Sequence, residues 1–170
     1  GVPDCLDQCP NNPNKFLSDR CLCDQIRVSV DGKDICAYPI NTAEEFNQYR
    51  IAINNGTMTN TASTAFALMS DINLNTIFFT DVDEWVGIKN FKGKFVSSGH
   101  KISFTLDGDN LGTLHCVTNQ CGLFHSLSGA RIDNIKLEFD IDGDSGYNGL
   151  LAGNVASSTI TNVEAVGNVK

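Results

Sequence analysis

Gly122-Leu123-Phe124-His125-Ser126-Leu127-Ser128-Gly129-Ala130-Arg131-Ile132-Asp133-Asn134-Ile135 is followed by Gly149-Leu150-Leu151-Ala152-Gly153-Asn154-Val155-Ala156-Ser157-Ser158-Thr159-Ile160-Thr161-Asn162-Val163. The two blocks superpose with a one-residue insertion, at a period of roughly 27–28 residues, inside the range of stacked-repeat architectures. A fainter copy runs from Phe95 through Gly99-His100-Lys101-Ile102. A unit this short cannot bury its own apolar face, so neighbouring copies must stack and share one core. Propeller blades of similar strand content need repeats of roughly 40 residues or more.

Around these blocks the apolar residues alternate. Ile102, Phe104 and Leu106 alternate with Lys101, Ser103 and Thr105, and Ile135, Leu137, Phe139 and Ile141 with Lys136, Glu138 and Asp140. Period-two alternation predicts strands with one face in and one face out. The segments between them are rich in Gly, Asn, Asp and Ser, which is turn chemistry. The expected fold is therefore all-β: a right-handed parallel β-helix, or solenoid, spanning residues 41–170.

Upstream, Thr42-Ala43-Glu44-Glu45 is a capping box, and Phe46, Tyr49 (or Arg50) and Ile53 follow at helical spacing. Asn54-Asn55-Gly56 ends the pattern, giving a short N-terminal capping helix over about 42–54. Residues 1–40 hold Cys5, Cys9, Cys21, Cys23 and Cys36 among Pro3, Pro10, Pro13 and Pro39. That segment reads as a cysteine-rich, disulfide-stapled cap from an oxidising compartment, with its pairing open. Within it Ile26, Val28 and Val30 alternate before Asp31-Gly32, a hairpin signal. Zinc knuckles do not fit the cysteine spacing, because no paired Cys-x-x-Cys and no histidine precede His100. Cys116 and Cys121 bracket a short polar loop and are expected to pair. The seventh cysteine is left over, free or bonded elsewhere.

The charge is −8, from 12 Lys+Arg against 20 Asp+Glu. No basic run is present, which disfavours a nucleic-acid partner and an anionic membrane surface. No apolar stretch is long enough for membrane insertion. Asn55-Gly56-Thr57 is the only N-glycosylation sequon, with Asn55 as its acceptor, and it fits a secreted protein of a eukaryotic source.

The order of landmarks resembles a known family. Asn41-Thr42-Ala43-Glu44-Glu45-Phe46, Phe66-Ala67-Leu68-Met69-Ser70-Asp71-Ile72, Trp85-Val86-Gly87-Ile88 and Phe91-Lys92-Gly93-Lys94-Phe95 are similar to the opening of GLUG-motif β-helix surface proteins. The blocks beginning at Gly122 and Gly149 resemble the GLUG repeats themselves. The resemblance implies an extended extracellular, adhesin-like scaffold and transfers no catalytic residue. The chain stops at Gly167-Asn168-Val169-Lys170, mid-pattern, which raises the expectation that other subunits or a continuation of the same solenoid cover its end.

Three groups could carry chemistry. Asp140, Asp142 and Asp144 alternate before Gly146 and form a candidate calcium site, although Ser145 and Leu151 break the EF-type pattern and the same residues serve as turn formers. Those carboxylates with Trp85 and Tyr147 would suit a groove for surface glycans or polysaccharide processing. A regular Thr/Ser-rich face would suit ice or mineral. Asn134 and Asn162, equivalent in the two blocks, are expected to stack as an inward ladder. His100, His115 and His125 fall into no metal spacing. The function expected is a non-enzymatic extracellular structural or adhesive module of a larger cell-surface or filament-forming protein. The alternative is a glycan-binding or polysaccharide-processing β-helix.

Overall fold

In the computed structural model, residues 25–77, 85–106, 110–143 and 146–170 are described. The chain opens with β1 (Ile26–Val30) and β2 (Lys33–Ile40), paired antiparallel with Val30 opposite Lys33. Asp31 and Gly32 both take positive φ, 51° and 71°, as a two-residue hairpin turn matched to strand twist requires. Helix α1 (Ala43–Asn54) follows. The Thr42 hydroxyl accepts from the Glu45 amide at 3.2 Å, and the Glu45 carboxylate accepts from the Asn41 amide at 2.6 Å. Both contacts satisfy amides that a helix start would otherwise leave unpaired.

Strands β3 (Ala65–Leu68), β4 (Ile72–Asn73), β5 (Lys94–Ser97) and β6 (Lys101–Ser103) come next. They are followed by β7 (Thr113–Cys116), β8 (Gln120–Cys121) and β9 (Phe124–Ser128). Then come β10 (Arg131–Asp133), β11 (Lys136–Glu138) and β12 (Asp140–Gly143). The last are β13 (Tyr147–Asn148), β14 (Ala152–Ala156), β15 (Thr159–Thr161) and β16 (Glu164–Val166).

The two sequence blocks pair in parallel, strand on strand. Phe124 faces Ala152, Ile132 faces Ile160 and Leu137 faces Ala165. The upstream copy joins them, with Phe95 opposite Ile132 and Ile102 opposite Leu137. Corners between strands need positive φ, and equivalent corners carry residues that tolerate it: Gly99 at 90°, Asn134 at 59° and Asn162 at 53°. Asn and Gly enter this region at least cost. The Asn134 amide donates to the Thr161 carbonyl and the Gly99 amide to the Asn134 carbonyl, so one corner locks onto the next.

This arrangement corrects the expectation of a single right-handed parallel β-helix. The strands divide among five small sheets, one of six strands, one of four and three of two. The largest is mixed, because β1 enters it antiparallel, and no sheet closes among the described residues. The reason is physical. A repeat fixes which strands become neighbours, since equivalent residues meet at equivalent heights, but it fixes neither hand nor closure. Strands three to five residues long between left-handed corners stay narrow. Two smaller expectations also change. Strand β6 ends at Ser103, and Leu106 is exposed, because Thr105 bridges back antiparallel to Leu111. Asn134 and Asn162 are exposed at corners rather than stacked inward.

One core runs through the stack. Phe95 meets Phe124 edge-on at 5.7 Å between ring centroids, and Phe91 stacks on Phe124 at 5.2 Å. Phe46 of α1 stacks on Trp85 at 6.5 Å and closes one end of the core. Edge-to-face and offset pairs of this kind add to area burial. Ala37, Ala65, Ala67 and Val96 form a second, smaller cluster under Ile26, Val28, Val30 and Ile35 of the hairpin. Small side chains there let the hairpin lie close on the sheet.

Candidate functional site

The acidic run is only partly brought together. On β12, Ile141 is fully buried while Asp140 and Asp142 share the outward face, as strand alternation dictates. Asp140 Oδ1 accepts from the Asn168 backbone amide at 2.8 Å and its side-chain amide at 3.0 Å. Asp142 lies 3.6 Å from His115 Nδ1 on β7. Asp144 lies outside the described residues, as do Cys5, Cys9, Cys21, Cys23, Phe78 and Phe79. Among the described residues no group of three His, Cys, Asp or Glu side chains could hold a metal ion.

Trp85 belongs to the core and not to a groove. It is 1% exposed, donates Nε1–H to the Gly122 carbonyl at 2.7 Å, and carries the Arg50 guanidinium 4.7 Å above its ring. Tyr147, at 68% exposure, stands in solvent. The aromatic pair proposed to line a sugar groove is therefore not assembled.

Burial holds the Arg50 pKa below its ordinary value, and its guanidinium donates to the Val86 carbonyl and to Asn47 Oδ1. The helical spacing left Tyr49 and Arg50 as alternatives, and both turn inward, Tyr49 against Phe66. Sequence reading missed two asparagines that act as pieces of backbone. Asn54 donates to the Gly87 carbonyl and accepts from the Lys89 amide, and Asn60 donates to the Asn90 carbonyl and accepts from the Lys92 amide. Together they stitch α1 and its following loop to residues 86–92. Their signal in the sequence is slight, since Asn in loops is common.

Two carboxylates, Glu138 and Glu164, line the outer face of the four-stranded sheet. Glu138 pairs with Lys101, and Glu164 sits 3.6 Å from Lys136, beside a shallow depression of about 200 Å³. The hydrogen bond to Glu138 raises the Lys101 pKa. Each carboxylate is thus matched by a lysine, giving a charge ladder across strands. A larger cleft of about 340 Å³ lies where the hairpin meets the sheet, lined by Val28, Ser29, Ala67, Met69, Ser97 and Ser98 among others, none of them charged.

His100 Nδ1 lies 3.3 Å from Asp71, whose pKa is lowered chiefly by the Lys101 backbone amide. That is a corner role. Cys116 and Cys121 form a disulfide closing the loop that presents Val117 to solvent. Cys36 is also disulfide-bonded. No helix among the described residues is long and apolar enough to cross a membrane.

The least conventional surface is formed by residues 147–170. Strands β13 to β16 are all edge strands. Val155 is 47% exposed where its partner Leu127 one layer in is 1%, and Ile160 is 39% exposed where Ile132 is 0%. Val169 is exposed at 49% where its partner Ile141 is 0%. The same repeat positions are core in one layer and bare in the next.

No family model, curated protein or solved structure matches this chain.

Proposed function

We propose that the chain is a non-enzymatic extracellular structural or adhesive module of a larger cell-surface or filament-forming protein, with repeats of the GLUG kind. The observation that carries this reading is the layer of β13 to β16, whose strand edges and apolar repeat positions lie open beside a fully covered layer of the same design. Strand edges of this sort template pairing with another strand unless something blunts them. A partner layer, supplied by whichever polypeptide, would extend the ladder and cover Val155, Ile160 and Val169. The disulfide at Cys116–Cys121 supports an oxidising environment. The charge ladder, with each carboxylate paired, supports a solvated outer face rather than a catalytic pair.

The test is a panel of acidic and neutral polysaccharides and an immobilised glycan array, each run with calcium and with a chelator. The reading expects no turnover of any polysaccharide. Chain cleavage abolished by Glu138→Gln or Asp142→Ala would overturn it in favour of a processing enzyme.

A further inference from the structure

We infer that Asn55 is an N-glycosylation site of the folded protein, the acceptor for a sugar delivered from a polyprenyl-diphosphate donor. The inference rests on the extracellular reading above. Asn54 and Asn55 are adjacent in sequence and opposite in state. Asn54 has spent its amide on the Gly87 carbonyl and the Lys89 amide, inside the packed seam between α1 and residues 86–92. Asn55 is exposed at the helix C-cap, and its backbone amide donates to the Ile51 carbonyl at 2.9 Å. Its side-chain oxygen accepts twice from Thr57, from the backbone amide at 3.0 Å and from the hydroxyl at 2.7 Å. The side-chain nitrogen Nδ2 has no acceptor among the described residues.

The sequon is thus held as a closed turn in which Thr57 occupies Oδ1 and leaves Nδ2 facing solvent. Gly56, at φ 78°, has nothing within 4 Å of where a Cβ would stand, so the space beside the acceptor is open. The helix docks through Phe46 and Ile53, and a glycan on Asn55 would not disturb that face. In the transfer, a bond forms between Nδ2 and the anomeric carbon. The bond from that carbon to the diphosphate oxygen breaks, the polyprenyl diphosphate leaves with the electron pair, and Nδ2 loses one proton to a base of the transferase. Glycan at this position would cover the helix end of the stack, remote from β13 to β16, leaving those edges accessible.

The experiment expresses the full chain behind a secretion leader in a eukaryotic host and reads intact mass and peptide mass on total protein, retained and secreted. The expected result is a glycoform that a glycan-releasing amidase collapses to the bare mass, with aspartate left at position 55. Asn55→Gln and Thr57→Ala should both abolish it, while Thr57→Ser should retain it. Unmodified Asn55 throughout the pool would overturn the inference. The state of Cys116–Cys121 on the same material separates the two claims: a closed disulfide with bare Asn55 sinks the glycan and spares the extracellular reading, whereas open thiols on a glycosylated chain do the reverse.

Discussion

Asp31 and Arg131 stand 100 residues apart in the chain and form a two-pronged ion pair, with Nη2 donating to Oδ1 at 2.9 Å. The pair pins the tip of the β1–β2 hairpin to β10, across the outer face of β3 and β5, where Val28 and Ile35 cover Ala67 and Val96. Hydrogen bonding to Asp31 raises the Arg131 pKa further. Arg131→Ala should cost about 0.5–1 kcal/mol, because the partner carboxylate is well exposed and screened. Thermal melts of Arg131→Ala, Asp31→Asn and the double variant would show a coupling that shrinks in high salt. Strict additivity would mean the hairpin is held by its apolar contacts alone.

Trp85 should behave as a core residue in every assay. Trp85→Ala removes a buried ring stacked on Phe46 and the hydrogen bond to Gly122, an expected loss of about 3–5 kcal/mol. Tyr147→Ala should stay within about 0.5 kcal/mol of the parent. Chemical denaturation of both checks this. Equal, small effects would return Trp85 to the surface.

At the corner held by Asn134, backbone strain outweighs side-chain size. With φ at 59°, a β-branched residue is strongly disfavoured. Asn134→Val should be less stable than Asn134→Gly by about 1–2 kcal/mol, even though both lose the side-chain bond to the Ser97 carbonyl. Melts in which the two variants coincide would contradict the corner assignment.

Asp133 sets an acid limit. Its carboxylate accepts from the Thr161 hydroxyl at 2.7 Å and from Arg131, and these bonds lower its pKa, Thr161 first. A carboxyl that binds its proton less readily when folded contributes stability above its unfolded pKa of about 3.9, and that contribution fades as pH falls through the lower folded value. The parent should therefore lose its advantage over Asp133→Asn progressively below about pH 4. Thermal midpoints across that range check it, and a gap that widens in acid would reverse the sign.

The strands and their neighbours were legible because the repeat and the alternation are both statements about spacing. Ile132 above Phe95 and Leu137 above Ile102 follow from equal positions in successive copies. Division into five sheets was not legible, since hand and closure depend on corner torsions that sequence period does not encode. Asn134 shows how the error arises. The same residue type suits an inward hydrogen-bonded ladder and a left-handed corner, and only the backbone decides. Trp85 and Tyr147 likewise shared a sequence rationale for a groove, yet one packs on Phe46 and the other faces water. Asp140 was read as a cation ligand, and its observed work is to hold Asn168. The bridging roles of Asn54 and Asn60 were not legible, because side chains that imitate backbone carry no periodicity; Asn54 reads only as part of a helix stop.

The central claim is that the layer of β13 to β16 is built to be covered by another like it. The most direct test fuses a second copy of residues 143–170 after Lys170 and measures the thermal midpoint together with amide exchange in β14, β15 and β16. Covering the bare positions should raise the midpoint by about 2–4 °C for each kcal/mol gained and slow exchange at those three strands most. An unchanged midpoint, with Val155 and Ile160 exchanging as fast as before, would mean that this face is a finished surface and that the modular reading is wrong.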